Sequence, residues 1–299
     1  MKDLLSIAAL SAGDIESLLA RAADIKGSGR RPLSTLAGKT LGLIFEKPST
    51  RTRVSFEAAM HRLGGSTIYM HANTTQLGRG ETPADTARVL SRYLDAVVVR
   101  TFSQRLVEDM AQAATIPVIN GLTDDHHPCQ ILSDLMTVQE KKGALAGLKI
   151  AWVGDGNNVA NSWLEAAGVL SLTLSLACPP GYEPQPRFVE FARKKGAKVL
   201  VTNDPAEAVR DADVINTDVW ASMGQEAEHD GRLKIFAPYQ VNAKLVSQAA
   251  PGCIVMHCLP AHRGEEITDE VVDGPCSVVL DEAENKMHLH QALLERLLG

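Results

Sequence analysis

Short runs of β-branched and other apolar residues recur along the chain, separated by longer stretches whose apolar positions repeat every three or four residues. A first set comprises "TLGLIF" (40–45), "STIYM" (66–70), "DAVVV" (95–99) and "IPVIN" (116–120). A second comprises "LKIAWVG" (148–154), "LTLSLA" (172–177), "AKVLV" (197–201), "DVINT" (213–217), "CIVMHC" (253–258) and "SVVLD" (277–281). Runs apolar on both faces and alternating with helical stretches predict parallel sheets covered by helices. In "CQILSDLMTVQEKKGALAG" the apolar residues at 131, 132, 135, 136 and 138 line one helical face before Gly143, predicting the helix that joins two lobes. The tail "NKMHLHQALLERLLG" is again amphipathic. The expected fold is therefore α/β, with two doubly wound parallel-sheet domains and the active site in the cleft between them. Their expected bounds are 1–142 and 143–285, with a helix at 286–299 packing back on the first.

The opening "MKDLLSIAALSAGDIESLLARAADIK" has a short apolar run, but Asp3 interrupts a basic leader, and Ser11 with Asp14 forms a capping-box start. It reads as a helix of the mature fold. No apolar stretch is long enough to span a bilayer. A net charge of −6 with no long Lys/Arg run points away from nucleic acid and anionic membranes, so any positive charge must be local. The 5 cysteines are scattered and without CxxC pairs, which predicts neither a disulfide framework nor a structural zinc and fits a reducing cytoplasm.

In open parallel sheets ligands bind beyond the carboxyl ends of the strands, and the distinctive polar clusters fall there. "EKPSTRTR" follows the first strand, "RT" (100–101) the third and "GLTDDHHPCQ" the fourth; "GDGNNVANS", "TDVWASMG" and "HCLPAHRGEEI" close strands of the second lobe. Pro48 suits a helix start, where Ser49, Thr50 and Thr52 set hydroxyls beside free backbone N–H groups and Arg51 can fork onto an anion. The same stretch also reads as a capped helix with solvated charges. Arg53, about 200° round the helix from Arg51, is spaced to pair with Glu57 instead. His127 and Gln130 share a helical face and offer donors to a carbonyl or amide. "GDGNN" opens a helix after a strand, but Val159 replaces the third glycine of a dinucleotide fingerprint, and no acidic residue closes the next strand. Asn157 or Asn158 either offers an amide to a polar substrate or holds the turn. Asp218 at a strand end is placed to hold an ammonium group, and "TDVWASMGQEAEHDGRLKIFAPYQ" reads as an irregular lid with Gly224 as a hinge. Cys258 reads as a small core residue closing a buried strand, and Pro260 as a shaper of the turn, in a cis or trans bond.

Taken together, S-T-R-T-R (49–53), "HPCQ" (127–130), "DVWASMG" (218–224) and "HCLPAHRGEEI" (257–267) resemble the carbamoyltransferase family over nearly the whole chain. The S-M-G loop and H-C-L-P point to its ornithine branch. The resemblance implies transfer of a carbamoyl group from carbamoyl phosphate to the δ-amine of L-ornithine, giving L-citrulline and phosphate, in arginine biosynthesis or, in reverse, breakdown. It makes 1–142 the carbamoyl phosphate domain and 143–285 the ornithine domain. It implies that Ser49, Thr50, Arg51, Thr52, Arg100, His127 and Gln130 bind carbamoyl phosphate, and that Gln76 reaches a neighbouring subunit's site in a homotrimer or multiple of trimers. Asn158, Asp218, Ser222 and Met223 would bind ornithine, with Cys258 and Leu259 where both substrates meet. Lys286 stands where the family usually has arginine, keeping the charge but not the rigid fork. Arg51, Arg100, His127, Asp218 and Cys258 are the implied catalytic set. No metal or organic cofactor is expected. The alternative is a carbamoyltransferase for another amine such as putrescine, against which the S-M-G loop counts.

Overall fold

Residues 1–29, 33–71, 76, 80–221 and 229–299 are described by the computed structural model. The chain folds into two compact units, one of residues 1–136 with 284–299 and another of residues 137–283. The elements run α1 (Ala12–Gly27), β1 (Thr40–Phe45), α2 (Thr50–Arg62), β2 (Ser66–His71), α3 (Pro83–Leu90), β3 (Ala96–Arg100), α4 (Gln104–Ala113), β4 (Val118–Leu122) and α5 (Pro128–Lys142). They continue as β5 (Lys149–Val153), α6 (Asn158–Leu170), β6 (Thr173–Ala177), α7 (Pro186–Lys194), β7 (Lys198–Thr202), α8 (Pro205–Val209), β8 (Val214–Thr217), α9 (His229–Phe236), α10 (Ala243–Val246), β9 (Ile254–His257), α11 (Asp269–Val272) and α12 (Val279–Leu298).

In the first unit the sheet order is β2-β1-β3-β4, and all pairings are parallel. β1, β3 and β4 are buried almost throughout, as their unbroken apolar runs require, whereas edge strand β2 is mostly half-exposed. Ile44, Val97, Val99, Val107, Met110 and Val118 pack into one core. Each such side chain stabilises the fold by roughly 1.5–3 kcal/mol through burial. Ser11 and Asp14 close the expected capping box on α1. The end of α12 belongs to this unit: Arg21 Nε donates to Glu295 Oε2 at 2.7 Å, Lys26 Nζ to Asn285 Oδ1 at 2.8 Å, and the His290 ring stacks on Phe56 with centroids 3.6 Å apart.

In the second unit the sheet order is β7-β6-β5-β8-β9, again parallel. Two sequence expectations are corrected here. "SVVLD" is not a strand: Ser277 makes one isolated bridge to Val255, and α12 starts at Val279 with Asp281 and Glu282 in its first turn, where carboxylates favour a helix start. The stretch expected to be irregular up to Gln240 holds α9 and a 3-10 turn at Ala237–Tyr239. Among the described residues no helix is long and apolar enough to cross a membrane.

Candidate active site

Strand order locates the crevice of each sheet. In the first, β1 connects outward to β2 on one side and β3 to β4 on the other, so the chain reverses direction between the adjacent strands β1 and β3. In the second, β5 and β8 are the corresponding pair. At such a reversal the loops leave the carboxyl ends in opposite directions and open a ligand crevice.

At the first crevice Ser49 is the N-cap of α2: its backbone is extended and its Oγ accepts from the Thr52 N–H at 3.3 Å. Thr50 is exposed, Arg51 half-buried and Thr52 buried. Arg53 pairs with Glu57 at 3.0 Å, as the i,i+4 spacing predicted, and also lies over the Tyr69 ring. Arg100 ends β3 almost fully buried, and its carbonyl accepts from the Glu46 N–H at 2.8 Å. After β4, α5 carries His127 at its start and Gln130 in its first turn, both buried. Lys286 Nζ donates to Gln130 Oε1 at 2.7 Å, and Gln130 Nε2 donates to Asp134 Oδ1 at 2.8 Å. The amide is thereby held in one orientation, between a buried cation and a buried carboxylate.

Burial, with the nearby charges of Lys286 and Arg100, holds His127 well below the usual histidine range. Its imidazole is neutral at neutral pH and suited to donating a hydrogen bond to a carbonyl oxygen. Arg100 and Lys286 are two buried cations near His127, an arrangement that suits an anion. Lys47, buried beside the Phe102 ring, pairs with Asp124. Burial pushes the Cys129 thiol up to about 12, which makes it a packing residue.

At the second crevice the two glycines of "GDG" serve the backbone. Gly154 has φ +135, and a Cβ on Gly156 would lie 2.2 Å from the Pro184 nitrogen. The N–H groups of Val159 and Ala160, which a dinucleotide's phosphates would need, are capped by Asn157 Oδ1 at 2.9 and 3.2 Å. Asn157 Nδ2 donates to Asp218 Oδ2 at 2.9 Å. Asp218 Oδ1 accepts from the Val219 N–H at 2.8 Å and from Cys258 Sγ at 3.2 Å. Asp155 pairs with Arg232, whose Nε also donates to the Trp220 carbonyl at 2.5 Å; burial pushes the Asp155 carboxyl up to about 6 against the pull of Arg232.

Beyond β9, the Leu259 N–H donates to His257 Nδ1 at 2.9 Å, which leaves the ring proton on Nε2, facing Glu266 Oε1 at 3.0 Å. Leu259 adopts φ 59, and the Leu259–Pro260 peptide is cis. Asp218, His257 and Cys258 set potential ligand atoms within 4.8 Å of one another, as do His262, Glu265 and Glu266. Both His257 nitrogens are already engaged, so the first group lacks a free imidazole lone pair for a metal.

The structure thus joins His127, Gln130 and Lys286 in one unit and Asp218 with Cys258 in the other. Asn158 is the first residue of α6, half-buried, and Leu259 is half-buried. Gln76 is exposed, its carbonyl accepting from the Glu81 N–H at 3.1 Å. Ser222, Met223 and Gly224 lie outside the described residues. Sequence reading missed Asp134, although its i+4 spacing from Gln130 was available. It also missed the bridge from Asn157 to Asp218, because 61 residues separate the pair.

The model of the aspartate/ornithine carbamoyltransferase carbamoyl-P binding domain matches residues 2–140, and that of the Asp/Orn binding domain matches residues 146–297. The ornithine carbamoyltransferase of Desulfotalea psychrophila is 59% identical over 299 residues, covering 99% of both chains. That of Bacillus subtilis is 54% identical over 301 residues, covering 99% of this chain and 94% of its own. The solved structure of ornithine carbamoyltransferase from Pyrococcus furiosus superimposes with a TM-score of 0.95 at 52% identity, covering 100% of this chain and 97% of that one.

Proposed function

The chain belongs to the aspartate/ornithine carbamoyltransferase family, and from that premise we infer that it transfers the carbamoyl group of carbamoyl phosphate to the δ-amine of L-ornithine, giving L-citrulline and phosphate. The observation that carries this reading is the contrast between the crevices. The first gathers a capped helix N-terminus, Arg100, neutral His127 and Lys286, all suited to an anion with a carbonyl. The second presents the Asp218 carboxylate beside Cys258, suited to an amine.

In the mechanism we propose, Ser49, Thr50, Arg51, Thr52 and Lys286 hold the phosphate, with the N-terminus of α2 directing its free N–H groups and positive dipole end at it. Arg100, His127 and Gln130 hold the carbonyl oxygen. The neutral amine attacks the carbamoyl carbon, a C–N bond forms, the bond from that carbon to the bridging oxygen breaks, and phosphate leaves with the bonding electrons and takes the proton that the nitrogen gives up. Negative charge grows on the carbonyl oxygen, where the donors of Arg100 and His127 stabilise it without rearrangement. Asp218 and Cys258 align the amine, Leu259 contacts both substrates, and Asn158, Ser222 and Met223 hold the amino-acid end of ornithine. The displacement is redox-neutral, and both reacting groups come with the substrates.

We further place the active form in the cytoplasm, which the free thiols among the described residues support, as a homotrimer in which Gln76 enters a neighbouring subunit's site. The activity is tested by offering ornithine, putrescine and aspartate separately with carbamoyl phosphate. Citrulline should form at a rate at least about a hundredfold above product from either other amine, since a site built for polar groups rejects substrates that lack them. Equal turnover of putrescine would overturn the substrate assignment.

A further inference from the structure

We propose that Asn157 is a positioning residue of the transfer reaction, acting through Asp218. This deepens the functional reading above and rests on its assignment of Asp218 to the reacting amine. The side chain of Asn157 does two jobs at once. Its Oδ1 accepts from the Val159 and Ala160 N–H groups and so caps α6. Its Nδ2 is turned the other way and donates to Asp218 Oδ2 at 2.9 Å.

The two residues stand at the carboxyl ends of β5 and β8, the adjacent strands at which the second sheet reverses its winding. The hydrogen bond therefore ties together the two strand ends that define the crevice. Asp218 cannot rotate freely. Its Oδ2 is held by Asn157, and its Oδ1 by the Val219 N–H and the Cys258 thiol. Among these three contacts, only that of Asn157 comes from across the crevice on the α6 side. Asp155 lies close enough to repel Asp218 electrostatically but is paired with Arg232. The amide of Asn157 is thus the neutral donor that sets the carboxylate plane, and with it the direction in which the amine is presented.

A helix cap alone would be served equally well by serine or aspartate, both strong N-cap residues. The serine hydroxyl is one bond too short to reach Asp218 from the cap, and an aspartate carboxylate has no proton to donate at neutral pH, so both variants separate the two roles experimentally. Asn157→Ser should leave the thermal midpoint within a few degrees of wild type, because the cap survives. It should lower kcat with ornithine by about 30-fold, the scale of a lost hydrogen bond to a charged group, while the KM for carbamoyl phosphate stays within about twofold. Asn157→Asp keeps the cap but sets a carboxylate against Asp218, and should lower kcat further.

If Asn157→Ser or Asn157→Asp retained wild-type kcat with ornithine, Asn157 would be a cap only and the proposal would fall. Asp218→Asn, measured alongside, separates this failure from that of the functional reading. A deep loss in Asp218→Asn with full activity in Asn157→Ser rejects the role of Asn157 alone. Full activity in Asp218→Asn removes the assignment of Asp218 and the role of Asn157 with it.

Discussion

Lys286 shows how one residue would decide the character of the proposed anion site. It is almost fully buried, and its ammonium donates to Gln130 Oε1 at 2.7 Å, so it both carries charge and helps to fix the amide that we propose faces the substrate. An ammonium makes single, rotatable bonds, whereas a guanidinium presents two parallel donors. Replacing Lys286 by Gln removes the charge and one of the contacts that orient the Gln130 amide, leaving that from Asp134. The KM for carbamoyl phosphate should rise more than about tenfold in that variant, with the KM for ornithine little changed, on the scale of a lost charge-assisted contact. Lys286→Arg should retain most of the activity. Steady-state kinetics with each substrate varied in turn checks both, and an unchanged carbamoyl phosphate KM in Lys286→Gln would exclude Lys286 from the site.

At the scale of elements, the sequence was legible where burial follows chain-local pattern. Nine of the ten apolar runs became strands, since an unbroken β-branched run between helices has few other ways to bury both faces. The tenth, 277–281, failed because the acidic pair Asp281 and Glu282 favours a helix start more than one bridge at Ser277 favours a strand. Cap geometry was legible at Ser11, whereas at α2 the helix start was read at Pro48 and the structure sets the cap one residue on, at Ser49; the bond from Asn157 to Asp218 turned on a partner in a distant loop. The stack of His290 in α12 on Phe56 in α2 was equally invisible to the sequence, and it has a consequence in acid. Burial first, and then Lys286, holds His290 well below the usual histidine range, and neither ring nitrogen has a hydrogen-bond partner among the described residues. The unfolded chain takes up a proton near pH 6.5 where the folded chain does not, so stability is present above that pH and is lost as pH falls below it. The loss is up to about 1.4 kcal/mol per pH unit for each such histidine, His127 included. Urea midpoints measured from pH 7 to pH 5 should therefore fall, and the fall should be shallower in His290→Gln. Parallel slopes for the two proteins would show that His290 titrates normally in the fold.

At the scale of the whole molecule, the trimer we propose rests on the family resemblance, and what the first unit leaves exposed is compatible with it. Gln76 is exposed after edge strand β2, and Val54, Ile68 and Tyr93 of the same unit are 54%, 49% and 72% exposed. If Gln76 acts at a site as proposed, such a surface would be of no use in a monomer, whereas a ring of three would present it to a neighbour. A chain of 32.1 kDa should then sediment as a particle of about 96 kDa, or a multiple of it. Sharing is testable separately from size. Arg51→Ala and Gln76→Ala subunits should each be inactive alone, yet in a mixed trimer a site that takes Arg51 from one and Gln76 from the other would be native. Random mixing in equal amounts should restore about a quarter of wild-type activity, the chance that both contributors are intact at one site. If mixed trimers form and remain inactive, Gln76 serves its own subunit. A particle of monomer mass that retains full activity would show that the reaction needs only one chain.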